Sequence, residues 1–304
     1  MMGPESGGQV PREPVSSSAA VPPGGQEWLW TPWRMRYVAG AHREEGCIFC
    51  NRLAAEDDVE SLILHRGERA FVIMNLFPYN TGHLMIVPNA HVASPEDAEP
   101  EVMREVAELR SPVLRALRRA LSPDGFNLGL NVGAPAGAGV ADHLHEHVVP
   151  RWQGDSNFMP ILASTMVMPE LIPVTYAKIR AEIAAELAAG SRTTNLVIVD
   201  DQSRIFVDAT GQLPEVVPRE GEPIWEAAIR GARELGAIDA ELLGWAGERQ
   251  VGSEQPALIL RTVKRKSSAL EAGNRFAPVD ELPRGIDAQL VRNALQHQDP
   301  FIFR

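Results

Sequence analysis

Gly133-Ala-Pro-Ala-Gly-Ala-Gly-Val-Ala-Asp-His143-Leu-His145-Glu-His147-Val-Val-Pro-Arg151 places three of the chain's eight histidines at alternate positions over five residues. In an extended strand, alternation turns His143, His145 and His147 to one face and Leu144, Glu146 and Val148 to the other. A buried core face is a poor home for three imidazoles, because each ring nitrogen taken out of water needs a partner. An exposed polar strand face is the competing interpretation. Against it stands the run of glycines just upstream, whose backbone N–H groups are free to approach a phosphate closely. Loop and histidines together predict a site for an anionic substrate.

Short runs of strand character flank this segment at 61–65, 70–75, 83–88, 126–132 and 143–149. Between the third and fourth, Val102, Val106, Leu109, Val113, Leu117 and Leu121 recur at helical spacing, with Pro112 expected to kink or split the helix. Strands, a helix and more strands predict an α+β fold around an antiparallel sheet. A second helix is expected over 169–188, ending at a cap and linker at 189–191. The pattern then restarts. Strands are expected at 195–201 and 204–208 around an Asp201-Gln-Ser turn, a helix at 222–236, a strand at 257–263 and a closing helix at 286–296. That second unit, 190–304, is long enough to hold its own core. Residues 1–26 are rich in Pro, Gly and Ser and are expected to be a disordered tail. Trp28, Trp30, Trp33 and Tyr37 suggest an arm packed on the first unit, 27–189, or on a partner subunit, in preference to a stacking platform for bases.

Composition narrows the class. The chain has 304 residues, 44% hydrophobic and 23% charged, with a formal net charge of −11. An acidic surface argues against nucleic acid or an anionic membrane as partner. Two cysteines exclude a disulfide framework. Neither a bilayer-spanning apolar run nor a signal peptide is visible, so a cytoplasmic enzyme or binding protein is the expectation. The cysteines stand as Cys47-Ile-Phe-Cys50, a spacing shared by zinc ligands and redox dithiols. The neighbouring sequence lacks the βαβ context of a redox motif, which leaves zinc or a pair of free thiols.

Residues 28 to 185 resemble the histidine-triad superfamily of nucleotide hydrolases and transferases. The likeness rests on the triad itself, on Asn131-Val-Gly before it and Pro150-Arg151 after it. It also rests on Phe71-Val-Ile-Met-Asn75-Leu-Phe-Pro-Tyr-Asn-Thr-Gly82-His83. The opening Leu29-Trp-Thr-Pro-Trp-Arg-Met-Arg-Tyr37 and the closing Arg151-Trp-Gln-Gly-Asp-Ser-Asn-Phe158 are similar to the branch of diadenosine-tetraphosphate phosphorylases. The resemblance implies a half-barrel antiparallel sheet with helices, usually paired as a homodimer. It implies that His145 attacks the α-phosphorus of an adenosine nucleotide, with His147 on phosphate or leaving-group oxygen and His83 supporting the triad. Asn75 is expected to hold the ribose, Asn131 to sit on the phosphate side, and the Gly137-Ala138-Gly139 backbone to face developing charge. A structural zinc is implied at Cys47, Cys50, His91 and His143. Two positions depart from the pattern. Glu146 occupies an apolar place and needs a buried partner, and Ala138-Gly139 lacks the polar side chain common there.

The segment from Leu213 to Gly236 resembles a worn Nudix box. Glu222 and Arg230 keep its spacing, but Gly231 and Leu235 stand where metal-binding acids belong, so a catalytically inactive Nudix-like α/β unit is expected. Glu222, Glu226, Arg230 and Glu234 then form a salt-bridged helix face. The function expected is hydrolysis of a P–O–P or P–N linked adenosine nucleotide through a nucleotidyl-histidine. A phosphorylase using phosphate as acceptor and a non-catalytic nucleotide sensor are the alternatives.

Overall fold

Ala70-Phe-Val-Ile-Met74 and Leu84-Met-Ile-Val-Pro88 are unbroken apolar strings, the pattern of strands covered on both faces. All ten side chains are buried, and the two strings pair antiparallel as β2 (Ala70–Met74) and β3 (Leu84–Pro88). The computed structural model describes residues 45–155, 170–187, 192–235, 238–251, 253–265, 270, 273–283 and 286–296. The tail at 1–26, the aromatic run from Trp28 to Tyr37, Ser156 to Phe158 at the end of the closing stretch, and the linker at 189–191 lie outside the described residues.

Two short helices, α1 (Ile48–Ala54) and α2 (Asp58–Ser61), precede β1 (Ile63–Arg66). After β3 come α3 (Pro100–Leu121), β4 (Gly125–Leu130) and β5 (Glu146–Arg151). The five strands form one antiparallel sheet in the order β1-β2-β3-β5-β4, which makes β5 internal and β4 an edge. Two expectations need correction here. The last strand begins at Glu146 and not at His143, so only His147 of the three histidines lies within it. Pro112 does not split the helix: α3 runs unbroken for 22 residues. A proline inside a helix removes one backbone hydrogen bond and costs about 3 kcal/mol. Here Pro112 is buried, flanked by the buried stripe Val106, Leu109, Val113, Ala116 and Leu117, and packing outweighs the loss.

The helix α4 (Ile172–Leu187) leads to a second sheet built from β6 (Thr194–Val199), β7 (Ile205–Val207), β8 (Glu215–Val216), β9 (Ile238–Val251), β10 (Ser253–Arg265) and β11 (Arg275–Ala277). Its order is β11-β7-β6-β10-β9, with β8 beside β6; β10 runs parallel to β6 and every other pairing is antiparallel. The helix α5 (Ile224–Glu234) follows β8 and α6 (Ala288–Gln296) closes the described chain. Strand alternation sorts this sheet's side chains. Leu196, Ile198, Leu258 and Leu260 join a core with α4 and α5, while Val197, Val199, Ala257 and Ile259 pack with Leu290, Val291 and Ala294 of α6. The first of these cores is continuous with that of the antiparallel sheet, including Phe71, Leu117, Ile179 and Ile183. The second unit therefore holds one core of its own and shares the other with the first unit. Among the described residues, no helix is long and apolar enough to cross a membrane.

Candidate active site and metal centre

Gly82 turns the chain into β3 at φ +75°, and a Cβ there would meet Leu121 Cδ1 at 2.3 Å, so only glycine fits. The turn delivers His83, completely buried, to the back of the triad. Its Nδ1 accepts the Tyr79 backbone N–H at 3.0 Å, with the Asn75 amide 3.3 Å away. With that nitrogen accepting, the ring carries its proton on Nε2 and donates to His147 Nδ1 at 3.0 Å. With Nδ1 accepting, the neutral His147 ring carries its own proton on Nε2, the nitrogen nearest the Asn131 side chain at 3.4 Å. Two successive bonds, from the Tyr79 N–H to His83 and from His83 to His147, thus set His147 as a donor. Burial, with the His147 and His145 rings adding to it, pushes His83 down to about 3. Burial and then the neighbouring His145 push His147 down to about 4.

His145 is buried and hydrogen-bonds the His143 carbonyl through Nδ1 at 2.9 Å. A carbonyl only accepts, so Nδ1 carries the proton and Nε2 keeps a lone pair. Burial lowers its pKa, against the opposing pull of that backbone bond, which keeps the ring neutral. The imidazole edges meet: His145 and His147 lie T-shaped with centroids 4.9 Å apart, and Phe49 packs 5.0 Å from His145 and 5.3 Å from His143. One ring is therefore set as acceptor or nucleophile and its neighbour as donor.

Gly133, at φ +79°, and Gly137, at φ +88°, bracket a 3-10 turn over Ala134–Ala136 between β4 and β5. Gly137 and Gly139 have open space around them and flank a half-buried Ala138 on the same loop, so this loop presents backbone and little else. Asn75 is committed locally: its oxygen accepts the Phe77 N–H at 2.9 Å and its amide faces His83. Glu146 finds the partner its burial demands. Arg110, on α3, grips it with Nε at 2.8 Å from Oε1 and Nη2 at 2.9 Å from Oε2. Arg110 carries no signal in the sequence, since a helix-surface arginine is ordinary. Tyr79 and Phe49 stand within the motifs without a role of their own, because strings do not show which aromatic rings lie against histidines.

Beside the triad, Cys47, Cys50, His91 and His143 bring two sulfurs and two ring nitrogens within 4.8 Å of one another. Among the described residues this is the one grouping of three or more His, Cys, Asp or Glu side chains able to share an ion. His143 hydrogen-bonds the Pro88 carbonyl through Nε2 at 2.9 Å, which turns the Nδ1 lone pair toward Cys47 at 3.3 Å and Cys50 at 3.6 Å. His91 Nδ1 lies 3.4 Å from Cys50 Sγ. Tetrahedral zinc with Zn–S near 2.3 Å and Zn–N near 2.05 Å has S–N edges of about 3.5 Å. The donor set and its spacing fit such an ion, and four protein ligands leave no open position.

The fold and this arrangement of imidazoles define a histidine-triad protein, and comparison with known proteins agrees. The HIT domain family matches residues 56–154. An AP-4-A phosphorylase of Mycobacterium tuberculosis is 38% identical over 165 residues, covering 52% of this chain and 85% of that protein. An adenylylsulfatase of Arabidopsis thaliana is 30% identical over 118 residues, covering 39% of this chain and 58% of that one. A solved structure of a zinc-bound histidine triad family protein from Mycobacterium smegmatis is 27% identical, covering 46% of this chain and 94% of that one, with a TM-score of 0.39. The chain belongs to the HIT family.

Proposed function

We propose that this protein transfers a nucleotidyl group from an adenosine polyphosphate through a covalent bond to His145. The observation that carries the reading is the pair of opposite tautomers: His145 offers a lone pair at Nε2 while His147 offers a proton at Nε2. His145 Nε2 attacks the α-phosphorus, an N–P bond forms, and the P–O bond to the leaving group breaks. His147 donates to the oxygen that departs, and the Gly137–Gly139 backbone faces the charge that develops. An acceptor oxygen then displaces the nucleotide, and the electron pair returns to Nε2. Asn75 and Asn131 flank the ribose and phosphate sides.

The relation to an AP-4-A phosphorylase supports a dinucleoside polyphosphate as substrate and phosphate as acceptor. Water as acceptor would make the same chemistry a hydrolysis. Diadenosine tetraphosphate incubated with and without phosphate separates the two: ADP plus ATP for phosphate, AMP plus ATP for water. Intact-mass analysis of a quenched reaction should show an AMP adduct. Turnover without an adduct, retained in the His145→Ala protein, would overturn the reading.

The ion proposed at Cys47, Cys50, His91 and His143 is a structural zinc. Such an ion supplies rigidity and takes no part in the transfer. The second unit is proposed as a Nudix-like fold without its chemistry. In it Glu222 is spent on Arg230, at 2.8 and 2.9 Å, and its carboxyl is held down to about 2 mainly by that pairing. Homodimer formation, with β4 as the open sheet edge, and a cytoplasmic setting belong to the same proposal.

A further inference from the structure

The aromatic side chains around the triad are unequal. At the metal end, Phe49 is buried against His143 and His145. At the other end Tyr79 stacks on His83, with centroids 4.8 Å apart and planes 28° from parallel, and lies 5.9 Å from His147. Tyr79 is nevertheless 49% exposed, and Leu76 in the same β2–β3 connection is also open. One face of the tyrosine ring is thus taken by His83 while much of the rest meets solvent. The rings run in the order His145, His147, His83, Tyr79. A phosphorus attacked by His145 places its departing oxygen at His147, and whatever that oxygen carries leads on toward Tyr79.

We infer that the outer face of Tyr79 is a stacking subsite for a flat aromatic group on the leaving side of the substrate, the base of the second nucleoside in a dinucleotide. The inference rests on the proposed function. A tyrosine face accepts any base, because every base has a π-face, and stacking on such a platform makes little demand on base identity. The ring is held in place without its hydroxyl, since the stack on His83 fixes its plane and its backbone N–H is bonded to His83 Nδ1. Replacing the side chain leaves that backbone bond intact, so support of His83 and stacking of a ligand are separable.

The test uses the full chain with His145→Ala to block turnover, and two ligands that differ only in the second nucleoside: diadenosine tetraphosphate and adenosine tetraphosphate. Adding Tyr79→Leu should weaken diadenosine tetraphosphate on the order of tenfold and leave adenosine tetraphosphate within about twofold. Tyr79→Phe should leave both unchanged. Equal weakening of both ligands, or of neither, would overturn the subsite and leave the nucleotidyl-transfer reading intact. Failure of both ligands to bind when Tyr79 is present would overturn that reading and the subsite with it.

Discussion

At the scale of single residues, the site is a set of fixed proton positions. His145→Ala removes the lone pair proposed to attack phosphorus, so turnover should fall below detection while nucleotide still binds; equilibrium binding and product assays on one preparation check both halves. His83 and His147 carry a second expectation. In the folded protein they titrate near 3 and 4, each pushed down chiefly by burial, against about 6.5 in an unfolded chain. Between those values the unfolded chain binds more protons than the folded one, so their contribution to stability is complete above about pH 6.5 and is lost as pH falls. Urea midpoints measured from pH 7 to pH 4 should fall steeply in the wild type and less steeply in His83→Phe. Parallel curves would remove His83 as a source of the acid sensitivity.

Elements are tied to the site by a cluster of metal-ligating side chains and by a buried ion pair. Cys47 and Cys50 open α1, His91 follows β3 and His143 precedes β5, so an ion there fastens three separate pieces of chain. Cys50→Ser should reduce bound zinc from about one per chain to well below it and lower the melting temperature, measured by metal analysis and calorimetry. The Arg110–Glu146 fork joins α3 to β5 with its carboxylate buried and its arginine partly open. Arg110→Ala should cost about 1–3 kcal/mol by leaving that carboxylate unpaired. Combining Arg110→Leu with Glu146→Ile should recover most of the loss, because paired removal spares the desolvation penalty. A double-mutant cycle in urea measures both. The elements themselves are unequally legible. The strings 70–74 and 84–88 declare buried strands, and Gly82-His83 with His143 to His147 declare the chemistry, because each depends on residue type at close spacing. Ile238–Val251 escapes such a reading: its pairing with β10 shifts register three times, and each bulge resets the period of two that marks a strand. Pro112 misleads, since a local rule cannot see the packing on both sides of it. The partner of Glu146 and the exposure of Tyr79 are facts of tertiary structure and have no local signature.

Over the whole molecule, α4 is the joint. Its Tyr176 hydroxyl donates to the Ile63 carbonyl at 2.7 Å, tying it to the first sheet. Arg180 reaches Asp58 at 3.4 Å on one side and Glu248 at 2.9 Å on the other. Glu182, fully buried, accepts the Ile224 N–H at 2.6 Å and so caps α5 of the second unit. Truncation after residue 189 would open the apolar face of α4 that packs on β9, so the shortened chain should aggregate or melt well below the full one; gel filtration and thermal scans decide it. Sequence places a boundary at 190 because loops and composition mark ends of elements, whereas burial on two sides of one helix does not.

The sharing of α4 also orders events in time. A ribosome releases the chain from its N-terminal end at roughly 5–20 residues per second. About 80 residues separate the end of α4 at Leu187 from the end of β10 at Arg265, which at that speed is about 4 to 16 s. For that interval the histidines are already synthesised while the strands that cover the outer side of α4 are not. The nascent first unit therefore spends seconds with an uncovered greasy flank, long enough for a holding chaperone to bind. The half that carries the histidines comes to rest only after its neighbour has been made.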